Sequence, residues 1–376
     1  MNRRTTTTFN TLAITIIAAL LLVPIFILGQ GPATATKSQP AAAPAAKAPA
    51  AAAKAWVTPR TPDGQPDLQG YWTNATYNQL ERAVANANKP FFTKEEFDER
   101  VRRAALTDEQ QTTPGTTGDV HYDFTQFGLD KSQNAFVADM RTGMITDPPD
   151  GRIPAQTAEA KKRTADRAAA YRANAGAQGD SVLTIPIGSR CIIYNPPPGP
   201  PMLPQGYNGN YQIIQSRDSL MILFEQIGDI RIVYLDGRPA PPANIRLTMG
   251  ASRGHWEGET LVVETTNFSD RPQARNAALS GISDNFKLIE KFKRTGENSF
   301  DYEFTVNDPA TFEKPWTASM PFTRIKGPIF EAACHEGNYG IEDTLKGYRA
   351  LDGKPAEAVA PAAPRGGGRG APPRGQ

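Results

Sequence analysis

Three charged residues share predicted strand faces with large apolar residues. Glu225, Glu290 and Arg324 each stand two positions from such a residue, and residues i and i+2 of a β-strand lie on the same face. The pattern predicts charges inside a sheet core, where a charge is costly unless it is paired, and we expect Arg324 to pair with Glu225 or Glu290. Two interpretations stay open. The group either lines a cavity, with a glutamate as general acid or base and Arg324 holding an anionic or carbonyl group, or forms a structural ion network.

The segment ACHEGNYG supplies a third catalytic candidate, His335, and a ligand-binding candidate, Tyr339. Histidine titrates close to neutral pH, which suits it to acid–base catalysis. His335 and Glu336 are also metal-ligating residue types. However, the chain has 3 histidines and no HxH or HExxH spacing, so no metal site and no cofactor are predicted. The sequence also lacks a GxSxG motif, a P-loop and a GxGxxG that opens a helix, so the corresponding hydrolase, NTPase and dinucleotide-binding classes have no support.

The stretch SRGHWEGETLVVETTNF, residues 252–268, predicts a β-hairpin. Gly258 suits its tight turn because glycine accepts a positive φ without a Cβ clash, and the β-branched and aromatic neighbours favour strands. Three charged residues of the hairpin, Arg253, His255 and Glu264, are predicted to bind a ligand. The alternative is that the hairpin belongs only to the core of the sheet.

The two cysteines, Cys191 and Cys334, predict a disulfide, because an even pair in an exported protein is commonly bonded. Two buried thiols or a catalytic cysteine are the alternatives. His335 follows Cys334 directly, but neighbours along a strand point to opposite faces, which does not favour a cysteine–histidine pair.

The two ends of the chain differ from its middle. Arg3 and Arg4 precede an apolar segment at residues 12–29, which predicts that residues 1–35 are an export signal or a retained membrane anchor. Residues 36–55 form an Ala/Pro-rich linker, and residues 351–376 a disordered tail rich in Pro, Gly and Arg. We therefore expect a periplasmic or secreted protein that contacts a membrane only through residues 12–29. The net charge of +2 does not favour nucleic-acid binding.

The middle of the chain predicts a mainly β fold. Residues 181–350 contain short strands and tight turns without an intervening helix, which is typical of an antiparallel meander, and we expect it to close into a lipocalin-like barrel or a strongly curved sheet. Residues 56–180 predict an irregular segment that packs on the sheet and carries two helices. One begins at the capping box of Thr93 and Glu96, and the other covers residues 155–175. The predicted strands, besides the hairpin, are residues 68–72, 144–146, 183–187, 190–194, 211–215, 220–226, 230–235, 245–249, 286–292, 299–306, 316–325 and 329–335.

Several motifs occur together in the order PDLQGYWTNAT, DPPDGRIP, SRCIIY, YNGNYQIIQS, YLDGRPAPP, SRGHWEGETLVVETTNF, FTVNDPATFEKPWT and ACHEGNYG. In this combination the chain resembles a large family of exported bacterial proteins of uncharacterised function, frequent in Acidobacteria and Proteobacteria, over residues 56–348. The resemblance implies export but transfers no catalytic residue. Relatives commonly read GDSRGRWEGDTLVV, whereas this chain has Ala251 at the acidic position and His255 at an arginine position, which does not favour His255 as a catalytic group.

The function expected from these features is the binding of a small molecule in a cavity of the β domain. The first alternative is an acid–base enzyme of isomerase, lyase or hydrolase type that uses the same cavity through Glu225, Glu290 or His335. The second alternative is a structural module of the cell envelope.

Overall fold

The structure, a computed structural model, describes residues 56–76, 78–109, 139–175, 181–193, 199–204, 209–269, 279 and 281–351. The predicted export segment, the linker and the tail beyond Leu351 lie outside these residues. Of the helices in the described ranges, none is both long and apolar enough to cross a membrane.

Within the described ranges, ten β-strands form one sheet, and nine of them close into a barrel. The strands are β1 (Gly70–Thr73), β2 (Ile145–Asp147), β3 (Asn210–Gln215), β4 (Ser219–Phe224), β5 (Ile230–Tyr234), β6 (Ala251–Glu257), β7 (Thr260–Thr266), β8 (Lys287–Gly296), β9 (Ser299–Asn307) and β10 (Trp316–Arg324). Around the barrel the order is β1, then β3 to β10, and β1 closes the ring by pairing Trp72 with Arg324 of β10. The tenth strand, β2, pairs with β10 at Thr317 and Ala318. The prediction of a mainly β fold that closes into a barrel is confirmed.

One step around the barrel is parallel. Val233 and Tyr234 of β5 pair in parallel with Ser252 and Arg253 of β6, whereas the other barrel pairings are antiparallel. Parallel neighbours need a crossover connection, and residues 235–250 form it. The barrel is therefore mixed rather than a pure antiparallel meander.

Aromatic side chains fill the barrel. Phe300 stacks on Phe322 with ring centroids 4.6 Å apart, and Trp72 meets Phe300 edge-on at 4.7 Å. Aromatic rings dominate core energetics because each buries about 150–250 Å². The largest fully buried rings are Trp72, Tyr211, Phe224, Phe292, Phe300, Tyr302, Phe304, Phe312, Trp316 and Phe322.

Both predicted helices are present, as α1 (Lys94–Glu109) and α2 (Ala158–Ala175). The capping box of α1 is confirmed: the Glu96 backbone N donates to Thr93 Oγ1 at 3.3 Å, and the Thr93 N donates to Glu96 Oε2 at 2.8 Å. Arg163 fastens α2 to the barrel by donating to the carbonyl of Ala310 at 2.9 Å and to Thr311 Oγ1 at 3.0 Å.

A further helix, α3 (Gly340–Leu351), was not predicted. Its first turn contains Glu342 and Asp343 and its last turn contains Arg349, which is the favourable arrangement of charge for the helix dipole. This charge pattern was the sequence signal that could have revealed the helix.

Four predicted strands are wrong. Pro186 lacks the N–H that a strand ladder requires, and Cys191 has a φ of 55°, in the left-handed region. Leu247 forms only an isolated parallel bridge with Phe268. The segments that form turns or irregular backbone instead are residues 183–187, the described part of 190–194, 245–249 and 329–335.

The disulfide between Cys191 and Cys334 is confirmed. It joins residues that are 143 positions apart and ties the segment after β10 to the turns before β3. Because each sulfur is bonded to the other, the alternatives of free thiols and a catalytic cysteine are excluded for this state of the protein.

Candidate functional site

A buried ion pair lies inside the barrel between β5 and β8. Arg231 donates from Nη1 to Glu290 Oε1 at 2.9 Å, and from Nη2 to Glu290 Oε2. Arg231 is 3% exposed and Glu290 is 0% exposed. The planar fork of a guanidinium matches a carboxylate in this two-pronged geometry, which offsets part of the large desolvation cost of both charges.

Two hydroxyl groups complete the surroundings of the Arg231 guanidinium. Its Nε donates to Ser252 Oγ at 2.9 Å, and its Nη2 donates to Thr265 Oγ1 at 2.9 Å. Thr265 Oγ1 in turn lies 3.4 Å from Glu290 Oε2, to which it donates. Each nitrogen of the guanidinium therefore has a partner, as a buried charge requires.

Tyr302 connects the ion pair to the backbone. Its hydroxyl donates to Glu290 Oε1 at 2.8 Å and accepts a hydrogen bond from the Met202 N at 3.0 Å. Burial, and secondarily the negative charge of Glu290, raise the pKa of Tyr302 well above its usual value. The tyrosine therefore stays protonated and keeps donating. Arg231, Ser252, Thr265, Glu290 and Tyr302 are hereafter the internal cluster.

The sequence predicted Glu290 inside the barrel but assigned it the wrong partner. Its partner is Arg231 rather than Arg324. In β5, Arg231 and Val233 face inward while Ile230 and Ile232 face out and are exposed. The more apolar face of this strand is thus the solvent-facing one. Because apolar residues usually mark the inner face of a strand, the pattern did not predict that Arg231 is buried. Thr265 and Tyr302 alternate in phase with buried apolar residues, which was the signal available for them, whereas Ser252 shares its strand face with Gly254 and the half-buried Trp256.

Glu225 is buried, but in a different place from the internal cluster. Its Oε2 accepts from Asn210 Nδ2 at 2.6 Å and from the Asn210 N at 3.3 Å, and its Oε1 accepts from the Phe330 N at 3.0 Å. The predicted strand face that placed Glu225 in the sheet core is wrong, because Leu220, Ile222 and Phe224 fill the inner face of β4. Glu225 instead ties the start of β3 to the segment after β10.

Arg324 caps one end of the barrel beside an aromatic ring. Its guanidinium lies 4.4 Å from the centre of the Trp72 ring, and Nη2 donates to the carbonyl of Gln69 at 3.1 Å. A second guanidinium, that of Arg294, lies 5.2 Å from the same ring. Burial, and then the charge of Arg324, lower the pKa of Arg294. Arg324 is therefore inward-facing, as predicted, but binds a ring and a carbonyl rather than a carboxylate.

The structure does not bring the three catalytic candidates together. Among the hydrogen bonds and ion pairs of the described residues, none joins two of Glu225, Glu290 and His335. His335 is exposed in the turn after Cys334, and Tyr339, just before α3, is 70% exposed.

The charged residues of the predicted hairpin lie on the outer face of the barrel. His255 Nε2 is 3.0 Å from Glu257 Oε1, and Glu264 Oε2 accepts from Lys287 Nζ at 2.9 Å. Arg253 is directed at carbonyl oxygens of the crossover after β5. None of these three side chains points into the barrel. The inner face of β7 holds Leu261, Val263 and Thr265, and in β6 the buried Ser252 and the core-packed Trp256 lie on the face opposite Arg253 and His255.

Two polar side chains of the turn between β4 and β5 keep unpartnered buried atoms. Gln226 is 3% exposed, and its Oε1 has no hydrogen-bond partner; the same is true of Asp229 Oδ2. Burial raises the pKa of Asp229 to about 6. No sequence pattern pointed to this site, because Gln226 and Asp229 are ordinary turn residues by type.

Comparison of the chain with protein-family models, curated proteins and solved structures found no significant match. The family resemblance drawn from the motifs therefore stays a prediction. In the part of the chain that the structure describes, no three His, Cys, Asp or Glu side chains are grouped so as to hold a metal ion.

Proposed function

We propose that the protein is an exported structural module of the cell envelope, in which the barrel is a rigid scaffold and its outer surface makes the contacts that matter. The observation that carries this proposal is the filled interior. Aromatic rings occupy the barrel, and the only charges of the internal cluster neutralise each other. Ligand-binding barrels reserve this space for a ligand, whereas here side chains take it.

The internal cluster supports a scaffold better than a catalytic site. A general base needs a free lone pair within reach of a substrate, yet both oxygens of Glu290 accept hydrogen bonds from Arg231 and a hydroxyl. Buried polar networks whose members are all satisfied make a core rigid. The cluster joins β5, β6, β7, β8 and β9, so it spans the short parallel seam between β5 and β6.

Export is supported by the disulfide, because such bonds persist in oxidising compartments. The apolar segment at residues 12–29 supplies the predicted route, as a cleaved signal or as an anchor. Both features together support a periplasmic or secreted location.

The test is native mass spectrometry of the protein purified from the periplasm of its own host. We expect the mass of the polypeptide alone and no thermal shift across a panel of metabolites. A small molecule retained in stoichiometric amount would overturn the scaffold proposal. It would support the binding function that the sequence suggested first.

One observation favours small-molecule binding as a second candidate, at the barrel rim rather than in its interior. The unpartnered Gln226 Oε1 and Asp229 Oδ2 are buried acceptors on one turn, next to Glu225. A ligand with hydrogen-bond donors would satisfy them. If a retained ligand is found, Gln226→Ala and Asp229→Asn should each release it, while Asp236→Asn, in the next turn, should not.

A further inference from the structure

The crossover between β5 and β6 contains the segment Arg238-Pro239-Ala240-Pro241-Pro242. Each proline has its φ fixed near −65°, and each residue that precedes a proline is forced toward extended or polyproline II backbone. Arg238, Ala240 and Pro241 each precede a proline, and Pro239 and Pro242 are themselves prolines. This proline content favours polyproline II backbone over residues 238–242.

A polyproline II helix has three residues per turn, so residues i and i+3 lie along one edge. Pro239 and Pro242 form such an edge, and both are exposed. Pro241, on another edge, is only partly exposed. The segment thus presents one edge of proline rings to solvent and turns another toward the barrel.

Two side chains hold the segment on the barrel by its carbonyl groups. Arg253 donates from Nε to the carbonyl of Arg238 at 3.1 Å and from Nη2 to that of Pro239 at 3.0 Å. Asn267 donates from Nδ2 to the carbonyls of Pro241 at 3.1 Å and Pro242 at 3.0 Å. These contacts lie on the barrel side and leave the exposed proline edge free of them.

The start of the segment is also fixed by an aromatic ring. The guanidinium groups of Arg238 and Arg253 lie 4.0 Å and 5.1 Å from the centre of the Tyr234 ring. Asp236 adds an ion pair with Arg238. Tyr234 ends β5, so the segment leaves the barrel in a defined direction.

We propose that residues 238–242 are a preformed ligand for a partner protein that binds polyproline II helices in a groove lined by aromatic side chains. The inference rests on the proposed scaffold function and names its partner class. Such grooves gain affinity from proline rings whose conformation is set before binding. Here the barrel fixes that conformation through Arg253 and Asn267, which lowers the entropy cost of association.

The experiment places a photo-crosslinking amino acid at Ala240 of the full-length protein in its own host. We expect an adduct with another protein that is absent when the crosslinker replaces Lys293, an exposed residue of β8. A synthetic peptide of residues 237–243 should compete for that adduct, and the same peptide with alanine at 239 and 242 should not. In the full chain, Pro239→Ala with Pro242→Ala should leave the melting temperature nearly unchanged and reduce the adduct by about tenfold.

The inference is overturned by the absence of an adduct above the Lys293 control, by an adduct that survives the double proline change, by failure of the native-sequence peptide to compete, or by an adduct with a second copy of this chain. The captured protein must also bind the native peptide in isolation through aromatic residues, and failure of that binding would count against the inference. None of these outcomes decides whether the barrel holds a small molecule, which the native mass measures separately.

Discussion

Arg231 and Glu290 form a two-pronged ion pair in the barrel interior, where neither is more than 3% exposed. A buried pair is weak evidence for stability, since two apolar residues could fill the same space, but breaking it leaves an uncompensated charge. The pair also joins β5 to β8 across the interior, and so holds the parallel pairing of β5 and β6 in position relative to β8.

Glu290→Gln should therefore lower the free energy of unfolding by about 3–5 kcal/mol, because it leaves the Arg231 charge buried and unneutralised. Urea denaturation measures this change. The matched control is Glu303→Gln, which removes an exposed pair with Lys291 and should cost less than about 1 kcal/mol. The double variant Arg231→Met with Glu290→Met should be more stable than Glu290→Gln. Equal effects of the buried and exposed changes would contradict this account.

Asp229 should make stability depend on pH. Burial raises its pKa from 3.8 to about 6, so the folded state binds the proton more tightly than the unfolded state. The resulting contribution of Asp229 to the free energy of unfolding is fully present below about pH 4 and is lost as pH rises through about 6. Asp229→Asn should therefore raise the free energy of unfolding at pH 8 by about 1 kcal/mol, a value reduced because solvent reaches part of the side chain, and change little at pH 4.

Asp236 is the control with the opposite sign. Its hydrogen bonds from Arg238 lower the pKa of Asp236, so its contribution is present above the unfolded pKa and lost as pH falls. Asp236→Asn should not stabilise the protein at pH 8. Urea titrations of both variants at pH 4 and pH 8 test the pair, and a destabilising Asp229→Asn at pH 8 would show that the carboxylate has a partner.

Loss of the disulfide should be costly. The loop it closes spans 143 positions, for which the chain-entropy model gives about 5 kcal/mol. Cys191→Ser with Cys334→Ser should lower the melting temperature and abolish its dependence on reductant. If dithiothreitol shifts the melting of the wild type and the double variant equally, the bond is not what the reductant acts on.

Asn267 should hold the crossover in place. It has a φ of 56° and donates to three crossover carbonyls, those of Pro241, Pro242 and Ile245. Asn267→Gly and Asn267→Ala both remove these bonds, so amide exchange around residue 245 should rise in both. Alanine should also cost about 1 kcal/mol more than glycine, because the left-handed region is unfavourable for a residue with a Cβ. Unchanged exchange in both variants would mean that the amide does not hold the segment.

The fold could be predicted further than the site. Tight turns and alternating residues predicted the barrel strands because those signals are local. The failures came where local pattern and tertiary context disagreed. Residues 245–249 look like a strand but lack a neighbouring ladder beyond the bridge at Leu247. Glu290 was found by its phase with Leu288 and Phe292, whereas Arg231 was hidden by two exposed isoleucines.

The sequence by itself determined the mainly β class, the capping box at Thr93 and which two cysteines could pair. The first two depend on neighbouring residues, and a chain with two cysteines allows only one intramolecular pair. Only the tertiary structure decided that Arg231 meets Glu290 and that β5 runs parallel to β6. Those contacts join residues far apart in the chain, and which partners meet depends on the closure of the whole barrel rather than on any local pattern.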